Sequence, residues 1–403
     1  MNQINSLRNT SKELLAFALF TIIFMIVSTS VASAVEVRKT NSGLCEVTFY
    51  DAADNSRMKY NYTLQNWPEE VKQAIMAAMV ITENTLQIKY TMRVAFAWSP
   101  DLDKQRCLAV SHNTYVDTRG FSAFGISVDE NYKYPAELIH QLAGNSIYNS
   151  INNFIVFNSL KDWCTSSVEQ PTLNQQDIIT VTLHELAHGL GISSSLNREN
   201  ERRPYIFDKY VSDEKGNQIG KSTLYTATKA NAESQLTNAN LYYSGAMGKR
   251  ANDGQSIRLH APAYLSSASI CHFDRMYEND DKGRLLIPGT TYGVCTRFYG
   301  DFALGIFQDL GWKLNTNTRL DAGVESTTAN EEIEQNDNIT ISAGAGRIHV
   351  ELNGFDPQRI AIYTVAGRLV RNEVINGSAS YDVPSNQIYI VRTGNQSKKV
   401  MVN

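Results

Sequence analysis

Residues 181–192 read V-T-L-H-E-L-A-H-G-L-G-I, and this stretch constrains the chain more than any other. His184 and His188 are four residues apart, so on a helix they share one face, one turn apart. Each can then offer one imidazole nitrogen to the same tetrahedral metal. Glu185 follows the first histidine and falls beside such a metal, where a carboxylate takes a proton from metal-activated water. The flanks favour a helix. Asp177-Ile-Ile-Thr-Val-Thr-Leu gives an apolar face entering the motif, and polar Asn174-Gln-Gln precedes it. Gly189 and Gly191 supply a left-handed stop after His188. The bland alternative is a pair of core histidines satisfied by hydrogen bonds.

A catalytic zinc normally takes three protein ligands and one water. The extended pattern H-E-x-x-H-x-x-G-x-x-H places its glycine on Gly191 but its third ligand on Ser194, a poor ligand. The third ligand therefore comes from elsewhere. The other histidines are His112, His140, His260, His272 and His349. His260 sits in the strand-like run Ile257-Arg-Leu-His-Ala-Pro. His272 sits in Ala268-Ser-Ile-Cys-His272-Phe-Asp274, with Leu285-Leu-Ile-Pro288 downstream.

On these residues the stretch 65–312 resembles secreted bacterial and plant HExxH peptidases of a metzincin-like kind. In that family H-E-L-G-H-G-L-G-F is followed by S-S-I-S-H-x-D, then L-M-x-P, then a closing helix L-x-x-L-x-D-I-G-W. This chain has His184-Glu-Leu-Ala-His188-Gly-Leu-Gly191-Ile and the His272 and Pro288 segments quoted above. It closes with Ala303-Leu-Gly-Ile-Phe-Gln-Asp309-Leu-Gly-Trp312. Phe157-Asn-Ser159 and Pro135-Ala-Glu-Leu also match. The resemblance implies an α+β, zincin-like catalytic domain: a twisted sheet plus an active-site helix. It implies Zn²⁺ held by His184, His188 and His272, with Glu185 as general base for peptide hydrolysis. Three positions depart from the pattern. Ala187 replaces a glycine and Cys271 a serine. Leu286 replaces the methionine that floors the metal, and leucine can fill that floor by volume. Asp274 competes with His272, since carboxylates also bind zinc; its other reading is a partner that orients His272. His112, His140 and His260 read as surface or core polar residues.

At 403 residues the chain exceeds one ordinary core, so at least two domains are expected. A net charge of −4 gives nucleic-acid binding no support. Residues 1–34 read as a signal peptide: Arg8 and Lys12, an apolar run over 14–31, then Ala32-Ser33-Ala34. An uncleaved anchor is the alternative, because the run is long enough to span a membrane. Five cysteines follow the signal. Export makes disulfides plausible, with Cys271–Cys295 and Cys107–Cys164 as guesses. Cys45 is also a candidate for a latency ligand that caps the zinc.

Residues 35–315 form the expected catalytic domain. Val71, Ala74, Ile75, Ala78 and Met79 recur at helical spacing within 68–86. Cys45-Glu-Val-Thr-Phe-Tyr50, the alternating 90–98 run and Asn153-Phe-Ile-Val-Phe-Asn158 read as strands, and 197–291 as loop-rich. Residues 316–338 carry six carboxylates against Arg319 and read as a solvated linker. Residues 339–403 show short alternating runs that suggest a small antiparallel β-sandwich. Ile362-Tyr-Thr-Val-Ala-Gly367-Arg-Leu-Val, Gln387-Ile-Tyr-Ile-Val-Arg-Thr-Gly394 and Lys398-Lys-Val there resemble the Bacteroidetes type IX secretion sorting domain. That resemblance implies the type IX machinery as a partner and a secreted or outer-membrane-surface location. The alternative for the tail is a carbohydrate-binding or spacer sandwich.

The expected activity is that of an exported zinc endopeptidase acting on proteins or peptides. The rival expectations are a surface binding protein on the same scaffold and a zinc hydrolase of non-peptide amides. Tyr292 and Tyr299 are candidates to steady an oxyanion. The acidic run Glu278-Asn279-Asp280-Asp281 is a calcium candidate, though such runs are usually just solvated.

Overall fold

The computed structural model describes residues 35–315 and 339–402, apart from 58–59, 104–106, 148–150, 197–202, 220–239, 262–268, 291, 345, 353–357, 365–368, 386 and 394–395. The expected signal segment and linker lie outside the described residues. The chain divides into two compact units. One is Met1–Thr165 with Pro171–Asn315, and the other is Ser166–Gln170 with Thr316–Asn403. The whole is mixed α+β.

The first unit is built on a five-stranded sheet. Its early strands are β1 (Glu36–Lys39), β2 (Cys45–Tyr50), β3 (Met92–Ser99) and β4 (Ala109–Asn113). A short ribbon follows, β5 (Tyr115–Asp117) with β6 (Lys133–Pro135), and then β7 (Asn153–Asn158). The sheet order is β1-β2-β3-β7-β4. β2, β3 and β7 run parallel, in register Cys45↔Met92 and Val94↔Asn153. β4 pairs antiparallel with β7 and forms one edge.

β3 and β7 are apolar almost throughout because both faces are covered. On one face Ala95, Ala97, Phe154 and Val156 pack with Leu64 and Leu102. By strand alternation Val94, Phe96, Ile155 and Phe157 point the other way. There Phe96 stacks between Phe49 and Phe157 at ring distances of 6.0 and 6.2 Å.

Helix α1 (Glu69–Thr85) packs against β2, and its buried residues Val71, Ala74, Ile75, Ala78, Met79 and Thr82 form one stripe. Ile75 and Met79 are fully buried, each worth roughly 1.5–3 kcal/mol. Helix α2 (Ala136–Ala143) follows β6 directly and ends at the left-handed Gly144.

α2 also buries Glu137, whose carboxyl is pushed up to about 8 by burial. The Arg93 N–H and the Asn152 and Gln141 side chains offset only part of that. Folded Glu137 therefore keeps its proton between roughly pH 4.5 and 8, where the unfolded carboxyl has lost it. The folded form binds the extra proton, so this group's stabilisation is complete below the unfolded pKa. It is lost as pH rises from the unfolded pKa to the folded one, at about 1.4 kcal/mol per unit. Urea unfolding of Glu137→Gln should lose this slope between pH 5 and 8; an unchanged slope would refute the assignment.

The rest of the first unit carries β8 (Trp163–Cys164) parallel to β9 (Gln176–Asp177), then helix α3 (Ile178–Gly189). A three-stranded sheet follows: β10 (Val211–Ser212), β11 (Tyr242–Tyr243) and β12 (Ile257–Arg258). Helix α4 (Ala246–Ala251) lies within the stretch expected to be loop. It forms because Asp309 accepts the Met247 and Gly248 N–H groups, at 2.9 and 2.8 Å. Asp309 belongs to the closing helix α5 (Asp301–Leu310), which stops at left-handed Gly311.

The second unit is all β. One sheet holds β13 (Ile339–Gly344), β14 (Arg347–Leu352) and β17 (Ser378–Asp382). The other holds β15 (Gln358–Thr364), β16 (Leu369–Ile375), β18 (Gln387–Thr393) and β19 (Gln396–Val402). All pairings are antiparallel. Ile348 and Val350 of one sheet share a core with Ile360, Ile362, Val391 and Val402 of the other. This is the expected small sandwich.

Candidate metal centre

Helix α3 carries His184, Glu185 and His188, and every residue of it except His188 is buried. Its start is fixed by Asp177, whose Oδ2 accepts from Thr180 N at 2.9 Å and Thr180 Oγ1 at 2.7 Å. The same carboxylate faces Arg297, with Nη2 2.6 Å from Oδ1, and its side chain is fully buried. Asp177→Ala would remove the cap and the carboxylate that faces the mostly buried Arg297 guanidinium. We expect a loss of about 3–5 kcal/mol, read as a lower guanidinium-chloride midpoint. A loss under about 1 kcal/mol would show the pair to be dispensable.

α3 ends where Gly189 and Gly191 allow close approach. A Cβ on Gly189 would lie 1.8 Å from Asn153 Nδ2 of β7. Gly191 has φ +123, a backbone conformation that disfavours other residues. The turn at Gly191 returns the Ile192 carbonyl to His188, whose Nδ1 donates to it at 2.7 Å. Ser194 goes to a different partner: its Oγ donates to buried Asp208 Oδ1 at 2.6 Å, while Ser195 N and Oγ donate to Oδ2. The turn thus orients His188, and Ser194, at the third position of the extended motif, serves as a loop anchor.

His272 arrives from a segment paired on both sides. Its carbonyl accepts from His260 N at 2.8 Å, and Phe273 N donates to the Leu286 carbonyl at 2.8 Å. Ile270, two residues earlier, is fully buried with φ +76, a conformation costly for a β-branched residue. The Leu285 carbonyl accepts from His184 Nδ1 at 2.7 Å. The 285–286 segment therefore holds the surroundings of two histidines at once, and both leucines are buried.

His184, His188 and His272 converge. The Nε2 atoms of His184 and His272 are 3.1 Å apart, and those of His188 and His184 are 3.2 Å apart. His184 and His188 each spend their Nδ1 proton on a carbonyl, so their Nε2 atoms are bare lone pairs. Such lone pairs repel at this distance unless a cation lies among them. A tetrahedral ion about 2.0–2.1 Å from each nitrogen would space them roughly 3.3 Å apart, close to what is found. Burial and the neighbouring His188 pull the His184 pKa down to about 3, and burial lowers His188, so both imidazoles stay neutral. The triad can hold a metal ion. Among the described residues no other group of three or more metal-capable side chains occurs.

Glu185, next to His184 in sequence, is buried, and burial pushes its carboxyl up to about 8. The Ser111 N–H of edge strand β4 partly opposes that. A nearby cation favours the ionised form and draws such a carboxyl back down.

The competing candidates lie elsewhere. Asp274 accepts from Met276 N at 3.0 Å and faces Arg258 Nε at 3.5 Å, which satisfies it away from the ligand set. His112 Nε2 meets Tyr62 OH at 2.9 Å. His140 is buried on α2 against Tyr90. His349 Nδ1 meets Ser380 Oγ in the second unit. His260 joins His272 through backbone rather than side chain.

Several expectations are corrected. Tyr299 is buried with its hydroxyl 3.0 Å from Thr82 Oγ1 of α1, so it is a core residue and cannot steady an oxyanion. Its fellow candidate Tyr292 is about half exposed and stays a candidate. Cys45 is fully buried in β2, and burial raises its thiol pKa, so it does not cap a metal. Neither guessed disulfide is present in the structure. In the acidic run Asp280 caps Lys282 N and Asp281 pairs with Arg284, which accounts for both without an ion.

Sequence reasoning missed the Leu285 and Ile192 carbonyls and the Asp208 anchor. A main-chain carbonyl leaves no residue-type signature, so no signal could have found the first two. The chain matches no protein-family model and no curated protein.

Proposed function

We propose that the chain is a zinc-dependent endopeptidase with a zincin-like catalytic unit. The observation that carries this reading is three converging imidazoles with a buried carboxyl adjoining them in sequence. His184, His188 and His272 would hold zinc through their Nε2 atoms, and three neutral imidazoles suit that ion. When bound, zinc supplies a Lewis acid and lowers the pKa of water. Glu185 accepts the proton of the attacking water and delivers it to the leaving amine nitrogen. The Leu285 and Ile192 carbonyls keep two rings in the ligating tautomer. Edge strand β4, packed on α3, presents backbone groups to which an extended peptide can add as a further strand. The test is cleavage of casein by the full chain, with and without a chelator. Chelator-sensitive cleavage restored by zinc is expected, and no cleavage by folded, zinc-loaded protein would overturn the reading.

We also infer export and surface delivery through the C-terminal sandwich. The Ala32-Ser33-Ala34 pattern and the tail motifs support this. Finding residues 339–403 intact on the mature, secreted protein would argue against a sorting role.

A further inference from the structure

His184 and His188 place their Nδ1 protons on the Leu285 and Ile192 carbonyls, each at 2.7 Å. The third imidazole meets a side chain instead. His272 Nδ1 lies 3.5 Å from Cys271 Sγ, a span that suits the larger sulfur atom.

The backbone sets this contact. His260 N donates to the His272 carbonyl at 2.8 Å, and the His260 carbonyl accepts from Ile270 N at 3.0 Å. His260 thus bonds to both ends of 270–272, with Cys271 between the two bonds. Crowding of this kind, as in a β-bulge, re-aims side chains. Phe273 is fixed in turn by donating to the Leu286 carbonyl at 2.8 Å. Ile270 is fully buried at φ +76, a conformation that a β-branched residue keeps only where its surroundings over-determine it. The thiol and the ring are therefore carried by a segment clamped on both sides. His272 is buried there and Cys271 half-buried.

A neutral imidazole carries one proton. For His272 Nε2 to ligate a metal, that proton sits on Nδ1, and the sulfur is then its acceptor. We propose that Cys271 is the positioning residue of the third ligand. Its sulfur accepts the His272 Nδ1 proton and keeps the Nε2 lone pair turned toward His184 Nε2, 3.1 Å away. Each ring of the triad then has an acceptor at Nδ1. Two are main-chain oxygens, and the third is a side chain that substitution can remove. The inference rests on the metal reading of the triad, and its test does not require turnover.

The experiment titrates zinc into the full chain against a competing chelator, for the natural protein, Cys271→Ala and Cys271→Ser. Urea unfolding of each metal-free chain is measured alongside. Sulfur is a weak acceptor, so Cys271→Ala should weaken zinc binding about tenfold, the low end of what outer partners of ligands contribute. Cys271→Ser restores an acceptor and should recover most of that loss. The metal-free stabilities should stay close to one another. A merely structural role would do the reverse: it would destabilise Cys271→Ala and leave its zinc affinity unchanged. Equal zinc affinity in all three proteins would overturn the proposal. Zinc lost as fully from Cys271→Ser as from Cys271→Ala would place the sulfur on the metal itself and overturn it too. No zinc binding by the natural protein would remove the metal reading, and the inference with it.

Discussion

Replacing His272 by alanine should strip zinc from the full chain. Losing an outer hydrogen-bond partner of a metal ligand already costs roughly 10–100-fold in affinity, and losing the ligand itself should cost more. The reason is geometric. His272 Nε2 lies 3.1 Å from His184 Nε2, and without it two imidazoles remain to hold the ion. Asp274→Ala is the matched control, because Asp274 is satisfied by Met276 N and Arg258. It should keep full zinc. Metal analysis after dialysis against a weak chelator, with circular dichroism to confirm folding, reads both variants. Full zinc in folded His272→Ala would remove His272 from the site.

Glu185→Gln should keep zinc and lose turnover. The amide preserves shape but cannot accept the proton, and such transfers contribute about 10²–10⁴-fold. A fall of that size in kcat/KM on casein, with zinc at one per chain, is the expected result. Near-normal turnover would mean that another group is the base. Loss of zinc would mean that Glu185 supports the metal rather than the proton transfer.

Much of this arrangement was legible in the chain because it is local. The apolar spacing from Val71 to Met79 gives α1 within one residue at each end. The runs 45–50 and 153–158 are strands with the bounds read from sequence. The α3 motif carries two of the triad histidines and the carboxylate on one element. The third histidine is not local. The residues alone left His272 and Asp274 open, and backbone pairing of 270–274 with 258–260 and with Leu286 brings the histidine in. Tyr299 and Cys45 misled for the same reason: their contacts come from α1 and β3, distant in sequence. Helix α4 went unread because its stability comes from Asp309, some sixty residues away. β4 lacks a two-residue apolar alternation because an edge strand is only half-covered.

X-ray absorption at the zinc edge of the purified full chain tests the central claim most directly. The account predicts three imidazole nitrogens and one further oxygen at about 2.0–2.1 Å, a site with a position open to water. A sulfur ligand near 2.3 Å, which Cys271 beside His272 would supply, would mean a closed structural site and contradict the account.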